Sequence, residues 1–153
     1  MSVERWSDAR RLLPVSRETC TEASTATTKY QSGTEIMNED VFNYIVRTAE
    51  TEWKPLVEGG VNTSGIFLKP LRVDQATGRA PTFLLRFEPG AKYPYHDHPA
   101  GEDLFVLSGS CVIEGATLAE GDYLYTPPGS KHSVRTDTGC TLLFQVPAEV
   151  VIL

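Results

Sequence analysis

The chain has 153 residues, of which 41% are hydrophobic and 22% charged, as expected for one soluble globular domain. Its formal net charge is −6 and it has no run of Lys and Arg, which excludes a nucleic acid or an anionic membrane as the expected partner. No apolar stretch approaches the ~20 residues of a membrane-spanning helix, and the first residues lack the apolar segment of a signal peptide. These features predict a cytoplasmic protein.

Residues 1–55 are predicted to be an extension of the main domain, not an independent domain. They are rich in Thr, Ser and Glu and show no alternating apolar pattern. A short helix is predicted within residues 38–53, where Asn38 could cap the first turn and apolar residues recur at helical spacing. These apolar residues are Val41, Tyr44, Ile45 and Ala49.

Residues 56–153 consist of short β-rich runs separated by Gly and Pro turns, such as SGS at 108–110 and PPG at 127–129. Many short strands with no long helix between them predict an all-β sandwich or barrel. The runs are GIFLKPLRV, PTFLLRFE, AKYPYH, EDLFVLSG, SCVIEG, DYLYTP, KHSVR, CTLLFQV and VVIL.

The three cysteines are widely spaced and include no C-x-x-C pair. This pattern predicts neither a disulfide framework nor a thiolate zinc site. Cys111 and Cys140 lie in apolar, strand-like runs, whereas Cys20 lies in the extension. Cys111 and Cys140 are therefore expected to be small buried side chains without a redox role.

All three histidines of the chain fall between residues 96 and 132. His96 and His98 are two apart on a predicted strand, so both imidazoles project from the same face. Glu102 follows a Pro-Ala-Gly turn, and His132 follows the rigid PPGS turn. Three imidazole nitrogens and one carboxylate oxygen suit a divalent transition ion such as Fe, Mn, Ni, Co or Zn. A lone histidine usually binds no metal, but here every histidine joins one pattern, which predicts a metal site.

Two segments match the motifs of the cupin superfamily. GAKYPYHDHPAGEDLFVLSG (90–109) has every spacing of the first cupin motif, and GDYLYTPPGSKHSVRT (121–136) has those of the second, except that Thr136 stands where Asn is usual. Residues 110–120 between them leave room for one tight hairpin. The resemblance implies an all-β double-stranded β-helix (the RmlC-like cupin jelly-roll barrel) with a short, partly helical N-terminal extension. It also implies one metal ion held by His96, His98, Glu102 and His132.

The wider segment LRVDQATGRAPTFLLRFEPGA, with HPAGEDLFVLSGS, PPGSKH and TGCTLLF, resembles ChrR-type cupin domains. That group includes proteins similar to 2,4′-dihydroxyacetophenone dioxygenase and the metal-binding domain of ChrR anti-sigma factors. ChrR anti-sigma factors also have an N-terminal zinc-binding domain that holds the sigma factor. Residues 1–55 have no histidine and a single cysteine, so this sigma-binding domain is not expected here.

The resemblance leaves two functions open. In the first, the protein is a non-haem Fe(II) dioxygenase acting on a small ketone, phenol or related molecule. Glu102 is then either the catalytic acid–base group or only a fourth ligand. In the second, it is a zinc-binding, ChrR-like sensor or accessory module without activity. Metal identity discriminates the two functions, and the same donor set suits several ions.

Strand parity gives expectations for the tyrosines near the motifs. Tyr93 and Tyr95 have the opposite parity to the histidines and are expected to pack outside the metal pocket. Tyr123 and Tyr125 share one face of their strand and are interpreted as core residues, with a place in the cavity wall as the alternative.

Parity also gives expectations for the charged residues of the strands. Arg86 alternates with apolar residues and is interpreted as a solvent-face charge; the alternative is a pocket residue that binds a substrate anion. Asp97 and Asp103 are out of phase with the expected ligands and should point away from the ion.

The chain is expected to form a homodimer and to act on a small molecule. Cupin sheets have exposed edges that commonly pair, and residues 1–50 or the apolar VVIL tail could cover them.

Overall fold

A computed structural model describes residues 41–74 and 76–153. In this part of the chain the regular structure is one short 3₁₀ helix and ten β-strands. The helix is Val41–Tyr44, and the strands are β1 (Lys54–Pro55), β2 (Ile66–Arg72), β3 (Thr82–Phe87), β4 (Lys92–His98), β5 (Glu102–Ile113), β6 (Ala116–Ala119), β7 (Tyr123–Thr126), β8 (Ser130–Arg135), β9 (Cys140–Gln145) and β10 (Val151–Ile152). The all-β prediction is therefore confirmed.

The helix predicted within residues 38–53 is wrong in extent. Only Val41–Tyr44 is helical, residues 45–53 form loops and turns, and residues 38–40 lie outside the described part. Four residues cannot bury a helical apolar face, and the exposed Phe42 and Tyr44 show that this turn covers no core. Among the described residues, no helix is long and apolar enough to cross a membrane.

The strands pair in the order β1-β2-β3-β9-β5-β8-β4-β10, and β6 and β7 also pair with β5. All the pairings are antiparallel. β5 belongs to both halves of this curled sheet: its first half pairs with β7 and β9, and its end pairs with β6 and β8. This long shared strand joins the two halves into a jelly-roll barrel.

A bulge in β5 lets that strand serve both halves. Its register with β9 shifts between Val106 and Ser108, so Leu107 is one residue extra. Val106 is buried before the shift and Cys111 after it, which shows that the inward-facing parity changes from even to odd numbers. The turn predicted at 108–110 is thus a bulged point of a continuous strand.

The predicted hairpin between the two motifs is confirmed as the β5–β6 pair. Glu114 (φ 47°) and Gly115 (φ 86°) form its two-residue turn, both with the positive φ that such tight hairpins need. Thr136, at the position where cupins usually have Asn, donates a hydrogen bond from Oγ1 to Ser110 O (2.7 Å) and accepts one from Gly139 N (2.9 Å). It thereby joins the end of β8 to β5.

The barrel interior is apolar and well buried. Ile66, Leu104, Val106 and Leu142 are each at most 1% exposed. Each such side chain contributes about 1.5–3 kcal/mol to stability through burial. Cys111 and Cys140 are buried free thiols in the same core, which confirms the expected burial.

The segment before β2 packs on the outside of the barrel. Lys69 Nζ donates to Thr48 O (2.6 Å) and lies 4.5 Å from the centre of the Trp53 ring. The Arg86 guanidinium lies 5.0 Å from the Trp53 ring centre and 4.7 Å from that of Phe67. Arg86 is therefore on the outer face, as predicted, although Trp53 partly covers it. The alternative of Arg86 as a pocket residue is not supported.

Both ends of the sheet are occupied by short strands of the same chain. β1 pairs with β2, and β10 pairs with β4 through Val151 opposite Asp97 and Ile152 opposite His96. The VVIL tail therefore covers an edge, as expected. Of residues 1–50, the other segment proposed to cover an edge, residues 1–40 lie outside the described part, and residues 41–50 form no strand.

Candidate metal centre

The three histidines lie on two neighbouring strands. His96 and His98 of β4 are both buried, whereas Asp97 between them points away and pairs with Lys131 (3.1 Å). On β8, His132 is directly opposite His96 in the ladder. Strand alternation and register alone therefore bring three imidazoles together.

Glu102 is added by the turn that follows β4. Gly101 N donates to His98 O (3.2 Å), and this tight turn puts Glu102 at the start of β5, where it is 4% exposed. Its Oε2 lies 3.6 Å from His98 Nδ1, and its Oε1 lies 3.7 Å from His132 Nε2. Both distances are longer than the donor–acceptor distance of a hydrogen bond, so the carboxyl group lies beside the imidazoles without a hydrogen bond to them.

The spacing of the imidazole nitrogens suits a metal ion. One ring nitrogen from each histidine lies within 4.8 Å of the others, and His98 Nε2 and His132 Nε2 are 3.3 Å apart. Two nitrogens each about 2.1 Å from one ion, at angles between square and tetrahedral, are about 3.0–3.4 Å apart. His96 Nδ1 donates to Pro94 O (2.7 Å), which fixes the ring and leaves Nε2 with a lone pair for a metal.

Burial sets the charge of each group in the metal-free protein. Burial, together with the neighbouring histidines, lowers the pKa of His98 to about 4, and burial with His96 nearby lowers that of His132 to about 4. The pKa of His96 is also lowered by burial. All three rings are therefore neutral at pH 7, the form that binds metals. Burial, with a smaller effect from Asp103, raises the pKa of Glu102 to about 8.

Two buried polar atoms in the centre lack a hydrogen-bond partner among the described residues: His98 Nδ1 and Glu102 Oε1. An unsatisfied buried polar atom costs about 1–3 kcal/mol. A cation among the imidazoles would satisfy Glu102 Oε1 directly and would fix the tautomer of His98 so that Nδ1 carries the proton facing Glu102 Oε2. The residues present therefore fit a divalent ion.

The centre opens on one side into the barrel cavity. His96, Glu102 and His132 line this cavity, whereas His98 lies behind them and is 1% exposed. The remaining wall is mainly apolar, and the cavity volume is about 70 Å³, enough for a few waters. The apolar wall includes Leu68, Phe83, Leu85, Phe87, Val134 and Phe144.

Tyr93 also lines the cavity, so the expectation that it packs outside the pocket is wrong. The β4–β8 register shifts between Tyr93 and His96, which adds one residue to β4 and gives these two side chains the same face. The Tyr93 ring packs edge-on against His96, with centroids 4.9 Å apart. Pro94, which cannot donate to the ladder, was the sequence signal for this bulge.

Glu58 is a cavity residue that no motif indicated. It lies between β1 and β2, is 8% exposed, and accepts a hydrogen bond from the Tyr93 hydroxyl. Its position depends on how the segment before β2 folds onto the barrel, and this cannot be read from local spacing.

Tyr123 and Tyr125 are 58% and 54% exposed, so their interpretation as core residues is wrong. They pair with Phe105 and Asp103 on the outer face of β5, where Tyr123 donates to the Asp103 carboxylate. Tyr95 lies outside the pocket, as expected. Asp97 and Asp103 also point away from the centre, as expected.

Comparison with known proteins agrees with this fold. The family model described as the ChrR cupin-like domain matches residues 42–148. Over 52 residues the chain is 40% identical to the dimethylsulfoniopropionate lyase DddQ of Ruegeria pomeroyi, a match that covers 31% of this chain and 26% of the lyase. Matches to the curated relatives span only 19–39% of those proteins.

Two solved structures illustrate the likeness in fold. An acetylacetone dioxygenase from Acinetobacter johnsonii superposes with a TM-score of 0.59 at 14% identity, covering 89% of this chain and 84% of that one. The anti-sigma factor ChrR of Rhodobacter sphaeroides, solved in complex with SigE, gives a TM-score of 0.54 at 22% identity, with 65% and 50% of the two chains covered.

Proposed function

The chain belongs to the family of ChrR cupin-like domains, and on that premise we propose that it is a mononuclear metalloenzyme. Its ion would be held by His96, His98 and His132, with Glu102 as the fourth ligand. One divalent transition ion is proposed, Fe(II) for the enzyme, although Zn, Mn, Ni and Co suit the same donors. The cytoplasmic location remains a prediction.

The opening of the centre into the cavity carries the proposal. A structural metal site is closed by its protein ligands, whereas a catalytic site keeps a side accessible to substrate. Here His96, His132 and Glu102 face a cavity whose other walls are mainly apolar. A small molecule that enters this cavity would contact the ion on one side and would displace water from the remainder of the cavity.

The proposed reaction is dioxygenation of a small ketone, phenol or related oxygenated molecule. The likeness to an acetylacetone dioxygenase supports this choice, although at 14% identity it is a likeness in fold alone. A bound Fe(II) ion would polarise a substrate oxygen and supply redox chemistry. The chain itself orients His96 through Pro94, excludes water with its apolar wall, and would provide Glu102 as the acid–base group once that carboxyl group is ionised.

A second candidate function is a zinc-loaded sensor without activity. The match to the ChrR cupin-like family and the likeness to ChrR itself support it. In this protein the ion would serve stability or signalling, and the cavity would bind no substrate. Tightly held zinc and no oxygen consumption would then be expected.

Metal content and oxygen uptake discriminate the two functions. The protein is purified without chelator or added metal, analysed for metals, and assayed with small ketones and phenols before and after anaerobic loading with Fe(II). About one iron per chain, with oxygen uptake on one substrate of the panel, is expected. The matched control is His132→Ala, which should show neither bound iron nor oxygen uptake. Stoichiometric zinc, with no oxygen uptake after Fe(II) loading, would contradict the enzyme function and support the sensor function.

A further inference from the structure

The cavity has a second polar site beside the metal centre, formed by Glu58 and Tyr93. Both residues line the cavity and are 8% exposed, and the Tyr93 hydroxyl donates to Glu58 Oε2. The Tyr93 ring also contacts His96, so the pair lies next to the expected ligands. Glu58 is close enough to His96 for its charge to favour the protonated ring.

The charge of the cavity wall restricts what can bind there. Among the described residues that line it, Glu58, Glu102 and Glu149 have carboxyl groups and none is Lys or Arg. Arg86, which lies between the cavity residues Leu85 and Phe87 in the sequence, is held on the outer face between Trp53 and Phe67. Among the residues that the structure describes, a carboxylate ligand would therefore meet two acidic residues besides Glu102 and no Lys or Arg.

We propose that the Glu58–Tyr93 pair orients the substrate, which is a small uncharged molecule with a hydroxyl group and no carboxylate. This inference rests on the proposed function, because it takes the cavity as the substrate site. Glu58 and the phenolic oxygen of Tyr93 both place oxygen acceptors at the cavity wall. A substrate hydroxyl donates to Glu58 or to the phenolic oxygen of Tyr93, while another oxygen of the same molecule faces the metal.

The test compares phenol, anisole and benzoate, three probes of similar size and shape. Phenol has a hydroxyl donor, anisole lacks it, and benzoate is an anion. Dissociation constants are measured by calorimetry or ligand-observed NMR in both the Zn(II)-loaded and the metal-free protein. In the metal-free protein, where benzoate has no zinc to coordinate, we expect phenol to bind at least about tenfold more tightly than either of the other probes, since a charge-assisted hydrogen bond is lost in both comparisons.

Glu58→Gln is the informative variant, because its amide oxygen can still accept from Tyr93 while the charge is removed. Phenol should bind about tenfold more weakly to it and benzoate more tightly. Tyr93→Phe should weaken phenol binding without restoring benzoate binding. Glu120→Gln is the matched control, since Glu120 is exposed and does not line the cavity. Melting temperature and zinc content verify that each variant folds.

Three results would overturn the inference: no phenol binding in either form, equal affinity for phenol and benzoate, or a preference that Glu58→Gln leaves unchanged. Failure of the proposed function would look different. It would appear as missing iron and missing oxygen uptake, whereas the probe preferences are measured without turnover and also without metal.

Discussion

The four groups of the centre differ in charge as well as in position. Low pKa values leave the imidazoles neutral at pH 7, whereas the raised pKa of Glu102 keeps that carboxyl group protonated without metal. A binding metal ion would therefore meet three ready ligands and one that must release a proton. Replacing a histidine should therefore affect metal content and activity differently from replacing Glu102.

Replacing His96, His98 or His132 with Ala should each remove stoichiometric metal. The three nitrogens form one compact group, and a lost donor also leaves a cavity between the remaining two. We expect less than about a tenth of the wild-type metal content in each variant. Elemental analysis after gel filtration measures this, with the exposed neighbour Lys131→Ala as control. Full occupancy in two of the three variants would contradict the assignment.

Glu102→Gln should separate catalysis from metal binding. The amide keeps the shape and one oxygen donor but cannot accept a proton in the same way. If Glu102 is the acid–base group, metal largely remains and turnover per bound ion falls by about two or more orders of magnitude. The measurement is oxygen uptake normalised to iron content.

The opposite result has a defined meaning. If Glu102 is only a fourth ligand, the same variant should lose metal more readily to a chelator while turnover per bound ion stays nearly constant. A variant unchanged in both properties would remove Glu102 from the site altogether.

At the scale of the elements, alternation predicted the strands well wherever no bulge interrupts them. His96, His98 and His132 follow simple alternation and register, and their convergence could be predicted from spacing. Tyr93 could not be placed, because a bulge reverses parity within β4. Glu58 could not be found, because its position depends on contacts distant in sequence. Tyr123 was misplaced because an apolar ring on a strand suits either face of a sheet.

The β5 bulge gives a prediction about stability. Gly109 has φ +74°, and a Cβ atom there would lie 2.2 Å from the backbone oxygen of Gly139. Gly109→Ala should therefore force β5 away from β9 and cost about 3 kcal/mol or more. Gly115→Ala is the matched control: it has φ +86° but open space around it, so it should cost only about 1 kcal/mol. Urea unfolding of both variants measures the difference, and equal costs would contradict the clash.

At the scale of the whole molecule, the expected homodimer remains a prediction, and the structure changes how it is tested. β1 pairs with only Phe67 and Leu68 of β2, and β10 pairs with only His96 and Asp97 of β4, so a second copy that added a strand at those positions would have to displace them. Light scattering at micromolar concentration should give twice the chain mass. Deleting residues 1–40 tests that segment while keeping Thr48 and Trp53 on the barrel. A monomeric full-length protein would contradict the prediction.

Removing the metal should make the stability of the molecule depend on pH in a particular direction. The raised pKa of Glu102 contributes stability that is complete below its ordinary value of 4.5 and is lost as pH rises towards 8. The lowered pKa values of His98 and His132 contribute stability that is complete about one pH unit above 6.5 and is lost as pH falls towards 4. Between pH 6.5 and 8 the unfolded histidines lose their remaining protons, which adds stability as the pH rises, so the effect of Glu102 is the difference between wild type and Glu102→Gln.

Relative to Glu102→Gln, the metal-free protein should therefore lose about 1–2 kcal/mol of unfolding free energy between pH 6.5 and 8, since one pH unit corresponds to about 1.4 kcal/mol per proton. Glu102→Gln removes the titrating group, and the histidines and other groups that titrate in this range cancel in the comparison. With metal bound, an ionised Glu102 gains a cation, so the wild-type protein should keep its stability at pH 8. Urea unfolding at both pH values, with chelator or with Zn(II), measures all three curves. Equal slopes for metal-free wild type and Glu102→Gln would show that Glu102 does not hold its proton in the folded protein.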